Sequence, residues 1–377
     1  MKIIATKIAK KPKFDYFLFF AVLLLVVFGV VMVYSASYYA AEITYGNSFF
    51  FAKKQIIGAV FGLVGMIVFS FVDYNIFKKI RWLIFVVSIV LLVLVFVPVI
   101  GVTNYGATRW LNLGVTTIQP SEIAKFAFVM FSAWYLSKNY EKVKSFAGIL
   151  PVILAGGLMC TLIILEPNMS ITICVALSMI VMLVVGGARL KHFVLILVPM
   201  LALAVLLVII APYRMRRLLA FLNPWQSAQA EGFQLVQSLY AVGSGGWFGV
   251  GLFNSRQKYL FLPFAESDFI FSIFAEEFGF VGCLLLIGVY LFVILRGIKI
   301  AKEAKDRFGC YLATGITTVI AVQVIMNIAV VTGSIPPTGL PLPFISAGST
   351  SLVVFMSAIG ILQSIKREST KCNLNTI

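Results

Sequence analysis

Acidic residues are scarce in this chain. Only 14 Asp and Glu stand against 30 Lys and Arg in 377 residues, and charged side chains together make up 12%. The five cysteines (Cys160, Cys174, Cys283, Cys310, Cys372) show no C-x-x-C or other metal-ligand spacing, so they read as packing residues. No G-x-x-x-x-G-K-[ST] loop occurs, and the glycines of AVGSGGWFGVGLFNS (241–255) do not fit G-x-G-x-x-G. A nucleotide-driven pump and a dinucleotide enzyme are thereby excluded, and no nucleotide cofactor is expected. Those glycines suit either a backbone approaching a ligand closely or a flexible turn.

What fills the chain is apolar: 61% hydrophobic residues, 34 of them Phe, and a mean hydropathy of +1.03. Such values belong to a polytopic membrane protein. The apolar runs have the length of helices that cross a bilayer, which excludes a barrel. Ten spans are predicted, near 16–37, 54–72, 80–99, 121–137, 147–165, 169–187, 191–211, 269–295, 309–332 and 344–364. The fold class is therefore an all-α polytopic membrane protein, with residues 1–377 forming a single integral membrane domain. The first run is too long for a signal peptide and reads as a retained helix.

The net charge of +16 is sorted by side rather than spread for nucleic acid. Most basic residues fall in the N-terminus, 73–81, 138–146, 188–192, 296–307 and the C-terminus, all on one side of a ten-span chain. By the positive-inside rule that side, with both termini, is cytoplasmic. The single histidine, His192, lies there too, so acid–base work at the outer face must use carboxylates. Basic residues left outside include Arg109, Lys125, Arg216 and Lys258, with headgroup contact as their plain explanation.

Two long intervals face outward, 100–120 and 212–268, and the second forms a large extracellular loop. Loops of that length are more often functional than connective, and its scattered aromatics predict amphipathic helices. At its end, FLPFAESDFIFSIFAEEFGF (261–280) carries Glu266, Asp268, Glu276 and Glu277. A carboxylate at membrane depth costs about 3 kcal/mol and needs compensation. Asp268 is predicted at the boundary, as a general base, an N-cap, or both. Glu276 and Glu277, deeper, read as partners for basic residues, and Glu266 as a solvated rim charge.

GATRWLNLGVTTIQPSEIAK (106–125) brings Arg109 near a Pro120-Ser121-Glu122 helix start, with Lys125 one turn on. Helix-start signals and an i,i+3 ion pair account for part of it, but this set can also grip a diphosphate. Glu166, before Pro167, adds another outer carboxylate, or simply snorkels. GSIPPTGLPLPFISAGSTS (333–351) has four prolines and no charge, and predicts a broken segment shaping a cavity. Gln323, Asn327 and Thr332 precede it and suit helix–helix hydrogen bonds equally well.

These motifs, together with GVVMVYSAS (29–37), YRMRRLLAFLNPW (213–225) and FQLVQSLYAVGSGGWFGVGL (233–252), resemble the SEDS family of division, elongation and sporulation proteins nearly end to end. The lean is toward its FtsW and SpoVE branch. The resemblance implies a ten-helix peptidoglycan glycosyltransferase in the cytoplasmic membrane of a bacterium. It would polymerise lipid II at the outer face beside a class B penicillin-binding protein that supplies the transpeptidase. It implies Asp268 as the essential base, with Arg109, Trp110, Gln119, Ser121, Glu122 and Lys125 in the family's motifs; Arg216 and Lys258 complete the expected substrate-binding set. A divalent cation, Mg or Mn, bridged by Glu122 or Glu166, could assist the leaving diphosphate. The sequence departs from the family pattern at Asn168 and Asn223, where acids are usual, and at Ala347-Gly348-Ser349-Thr350-Ser351. The rival functions are a lipid II flippase, with Glu276 and Glu277 lining its path, and a scaffold that activates the penicillin-binding protein.

Overall fold

The computed structural model describes residues 14–104, 107–112, 114, 117–210 and 212–372. A helix stands at each of the ten expected spans: α1 (Tyr16–Tyr45), α2 (Phe50–Phe71), α3 (Asn75–Leu94), α4 (Pro120–Lys138), α5 (Phe146–Leu165), α6 (Met169–Val185), α7 (Leu190–Ile210), α10 (Ile270–Lys302), α11 (Arg307–Val331) and α12 (Ser349–Cys372). The outer loop adds α8 (Pro212–Leu222) and α9 (Phe233–Ser244), the latter packed on α10 and α11. Six helices, α1, α2, α5, α10, α11 and α12, are long and apolar enough to cross a membrane by length and composition.

The outward interval 100–120 carries a three-stranded antiparallel sheet, β1 (Gly101–Asn104), β2 (Ala107–Asn112) and β3 (Thr117–Ile118), with Val102 opposite Trp110. Two expectations are corrected. Span ten begins later than expected, at Ser349, because 344–348 belongs to the proline-rich segment. Span eight is not one continuous helix: Gly279, at φ 65° and ψ −167°, breaks α10.

That break explains the glycine-rich stretch. Val250 and Gly251 N–H donate to the Glu276 and Glu277 carbonyls, and Phe280 and Val281 N–H donate to Gly246 and Trp247. Residues 246–251 thus satisfy the backbone groups that the kink frees, as non-helical backbone at membrane depth requires. Two of these glycines leave no room for a side chain: a Cβ on Gly249 would lie 2.1 Å from the Glu277 carbonyl oxygen and one on Gly245 2.0 Å from that of Ala275. At those two positions close backbone packing accounts for the glycine, whereas an added Cβ at Gly243 or Gly246 would meet open space.

The bundle is built around α4 and α11, which pack on each other; α3 and α6 flank α4, and α10 lies along α11. Helix α12 runs against α2. At the cytoplasmic end Asp15 caps α1, accepts from Arg296 of α10 at 2.6 and 3.0 Å, and exchanges backbone hydrogen bonds with the Gln363 amide of α12. One buried carboxylate therefore fixes three helices at the face opposite the candidate site.

Candidate active site

The site is assembled by residues 333–348, which dip into the outer end of the bundle. Four prolines leave this segment short of internal hydrogen bonds, and its buried carbonyls need external donors. Side chains of three helices, α6, α10 and α11, supply them. Gln323 Nε2 donates to Pro341, Tyr290 Oη to Pro343, Ser170 Oγ to Thr338, and Asn327 Nδ2 to Leu340. Gln323 and Asn327 hold this segment, and Gln323 also makes a helix–helix bond by accepting from Lys125 of α4.

Asp268 is tied to the same segment. Asn327 Nδ2 also donates to the Asp268 carbonyl at 2.8 Å, and Ser346 Oγ donates to Ser267. Gly339, at φ +71°, lies against the Asp268 side chain, where an added Cβ would meet Oδ2 at 2.9 Å. Asp268 is half-buried, and the N-cap position of α10 belongs to Phe269, which corrects the capping alternative for Asp268. Glu266 is not a fully solvated rim charge either. It is half-buried, and burial pushes its carboxyl above the usual range, opposed by its own backbone N–H. It lines a cavity of about 190 Å³ with Phe51, Lys54, Gln55, Ser267 and Gly348.

The first turn of α4 reaches the same segment through Gln323 of α11. Gln119 is its N-cap residue and Pro120 its first helical residue. Glu122 and Lys125, both buried, pair at 3.0 Å; Lys125 also donates to Gln323 Oε1 at 2.6 Å, and Ser351 Oγ to Glu122 at 3.0 Å. Ser121 Oγ and Glu122 Oε1 are buried without a hydrogen-bond partner among the described residues. Since Gln323 holds both Lys125 and Pro341, one amide couples this ion pair to the segment beside Asp268.

Arg109 and Trp110 are half-buried on β2. The Arg109 guanidinium hydrogen-bonds the Glu166 and Pro167 carbonyls that end α5, so it covers a helix C-terminus. The Glu166 carboxyl is buried, and both of its oxygens lack a hydrogen-bond partner among the described residues. Burial pushes it up to about 8, against the opposing charge of Arg109. Asn168, one of the departures from the resembled pattern, caps α6 by accepting from Ile171 N–H.

Two expected substrate contacts lie elsewhere. Lys258 is fully buried against Glu277 at 3.0 Å, and Ser35 donates to the same carboxylate oxygen at 2.6 Å. Lys258 therefore holds the loop to α10. Glu276 accepts from Ser255 Oγ and from the Arg256 and Gln257 N–H groups, so the acid pair anchors the loop rather than lining a path. Arg216 is exposed on α8 and pairs loosely with Glu231 at 3.7 Å.

Of the carboxylates expected to bridge a cation, Glu122 shares Oε2 between Lys125 and Ser351 while its Oε1 and both Glu166 oxygens stand without a hydrogen-bond partner, and no cluster of three or more His, Cys, Asp or Glu forms, among the described residues. Gln55 was missed by sequence reading: its amide bridges Ser346 and Gly348 across the cavity wall. A lone buried amide in an apolar span was the available signal.

Fold and site together define a polytopic membrane protein whose outer helix ends enclose a carboxylate under a proline-broken segment. The profile of FtsW, RodA and SpoVE, described as Cell cycle protein, matches residues 16–371, and the chain belongs to that family. It is 42% identical to stage V sporulation protein E of Bacillus subtilis (strain 168), over 96% of this chain and 99% of that one. It is 39% identical to a probable peptidoglycan glycosyltransferase FtsW of Geobacter sp. (strain M18), over 93% and 96%. Among solved structures it resembles, at TM-score 0.78 and 25% identity, a chain from work on polymerization and crosslinking by a peptidoglycan synthase complex, covering 94% of this chain and 98% of that one. It shares its fold with Thermus thermophilus rod shape determining protein RodA, at TM-score 0.68 and 24% identity, over 94% and 97%.

Proposed function

We propose that this protein is a peptidoglycan glycosyltransferase that polymerises lipid II at the outer face of the bacterial cytoplasmic membrane. The observation that carries the reading is Asp268, a half-buried carboxylate held through its own carbonyl at the outer top of α10, against a glycine and next in sequence to Ser267, which lines a cavity. The relatives named as glycosyltransferases supply the reaction class.

The acceptor sugar 4-hydroxyl gives its proton to Asp268 as its oxygen bonds to the donor's anomeric carbon. The bond from that carbon to the undecaprenyl diphosphate breaks with inversion, and the diphosphate leaves with the electron pair. Arg109, on the outer sheet, is the proposed diphosphate contact, with Trp110 beside it. Lys125 acts through Glu122 and Gln323, holding Pro341 and the segment that faces the base. No step is routed through a metal ion. A class B penicillin-binding protein is the proposed partner, in keeping with the likeness to a chain of a peptidoglycan synthase complex.

The test is lipid II polymerisation by purified protein and partner in detergent, where no second leaflet exists. Asp268→Asn is expected to abolish glycan strands while leaving melting temperature and partner binding unchanged. Undiminished product from that variant overturns the reading.

A further inference from the structure

On the cytoplasmic face a cavity of about 260 Å³ opens where α3, α4 and α11 meet, lined by Lys78, Trp134, Ser137, Lys138, Asp306, Arg307 and Phe308. Three cations and one carboxylate give its lining a net charge of +2. None of the three cations forms a salt bridge among the described residues. Asp306 is already engaged: its Oδ1 caps α11 at Gly309 N–H, 3.0 Å, and accepts from Tyr74 Oη at 2.7 Å.

The cations are held over rings rather than free to sweep through solvent. Arg307 stacks on Tyr140 at 3.3 Å from the ring centre, and Lys138 and Lys78 lie 5.8 and 6.0 Å from Trp134 and Phe308. Arg81 stacks on Trp134 at 3.9 Å and extends the positive field. The N-terminus of α11 adds its own partial positive charge.

An apolar strip runs from this cavity toward the membrane interior. Lys78, Trp82, Val86 and Val90 follow at i,i+4 along one face of α3, and Trp82, Val86 and Val90 are exposed. Trp82 sits 5.9 Å from Trp134, the aromatic wall of the cavity, so the charged cup and the strip adjoin.

We propose that this cavity binds the phosphate headgroup of an anionic phospholipid of the cytoplasmic leaflet, with its acyl chain lying along Trp82, Val86 and Val90 of α3. A phosphate diester matches a cup of fixed cations, and basic pockets between membrane helices on the cytoplasmic side bind such headgroups. The strip decides for a lipid over a soluble phosphate, since only a lipid gains from it. The proposal does not rest on the polymerase reading, and it survives the failure of that reading.

Native mass spectrometry of the purified full-length protein counts retained phosphatidylglycerol, with phosphatidylcholine and inorganic phosphate as separate arms. Lys78→Gln/Lys138→Gln is expected to weaken phosphatidylglycerol retention about fivefold per removed charge and to leave phosphatidylcholine unchanged. Trp82→Ser is expected to weaken phosphatidylglycerol without altering phosphate. Melting in phosphatidylcholine checks folding, and Lys78→Gln alone replaces the double variant if that unfolds. Equal phosphatidylglycerol retention by wild type and charge variant overturns the site, and displacement of the lipid by equimolar inorganic phosphate overturns the lipid assignment.

Discussion

Asn327 donates its single side-chain nitrogen to two backbone carbonyls at once, Asp268 at 2.8 Å and Leu340 at 2.6 Å. One amide on α11 thereby sets the distance between the candidate base and the proline-rich segment that faces it. Asn327→Leu keeps the volume and removes the donor, leaving two carbonyls short of a partner. A stability loss of about 1–3 kcal/mol is expected. Polymerisation is expected to fall about tenfold, equivalent to about 1.4 kcal/mol, at a temperature well below the variant's melting point, read as initial rate. Wild-type activity in a folded Asn327→Leu protein refutes the positioning role.

The buried Lys258–Glu277 pair predicts strong non-additivity. Removing one partner leaves a buried charge uncompensated and costs about 3–5 kcal/mol, whereas replacing both with apolar residues costs much less. Lys258→Met and Glu277→Leu singly, then together, are to be compared by thermal denaturation. The double variant is expected to melt above either single one.

Gly279 and Gly249 meet backbone to backbone at the break in α10: a Cβ on Gly279 would lie 2.3 Å from Gly249 nitrogen, and both glycines have positive φ. Gly279→Ala therefore adds a clash to a conformation that by itself costs about 1–3 kcal/mol for a side chain. Loss of folded protein is expected, measured by size-exclusion yield. Gly157→Ala, where open space surrounds the added carbon, is the control.

Glu166 makes stability depend on pH. Burial pushes its carboxyl up to about 8, above the ordinary 4.5. A raised folded pKa gives a contribution fully present below the unfolded value and lost as pH rises through the folded one. The melting temperature is thus expected to decline between about pH 4.5 and 8, and Glu166→Gln to flatten that decline. An unchanged slope in the variant rejects the assignment.

Much of the architecture was legible because membrane crossing imposes a coarse rule on composition. The helices α1–α7 and α10–α12 fall on apolar runs, and the basic segments assign their sides. Asp268 stood out for the same reason, as a carboxylate where carboxylates are costly. The roles of the other charged residues were not legible. Lys125 and Lys258 both read as outer cations, yet each is closed into an ion pair by a carboxylate, three residues upstream for Lys125 and nineteen downstream for Lys258.

The sequence alone determined the solvent this protein lives in, where its ten long apolar spans fall and which side each connection is assigned, and the carboxylate that chemistry had to explain, since these follow from summed hydropathy and charge placement. Only the tertiary structure decided what the remaining polar groups do. Pairing at membrane depth depends on which atoms lie within about 3 Å, and no spacing in the chain foretells that Gln323 and Asn327 satisfy carbonyls left without partners by prolines.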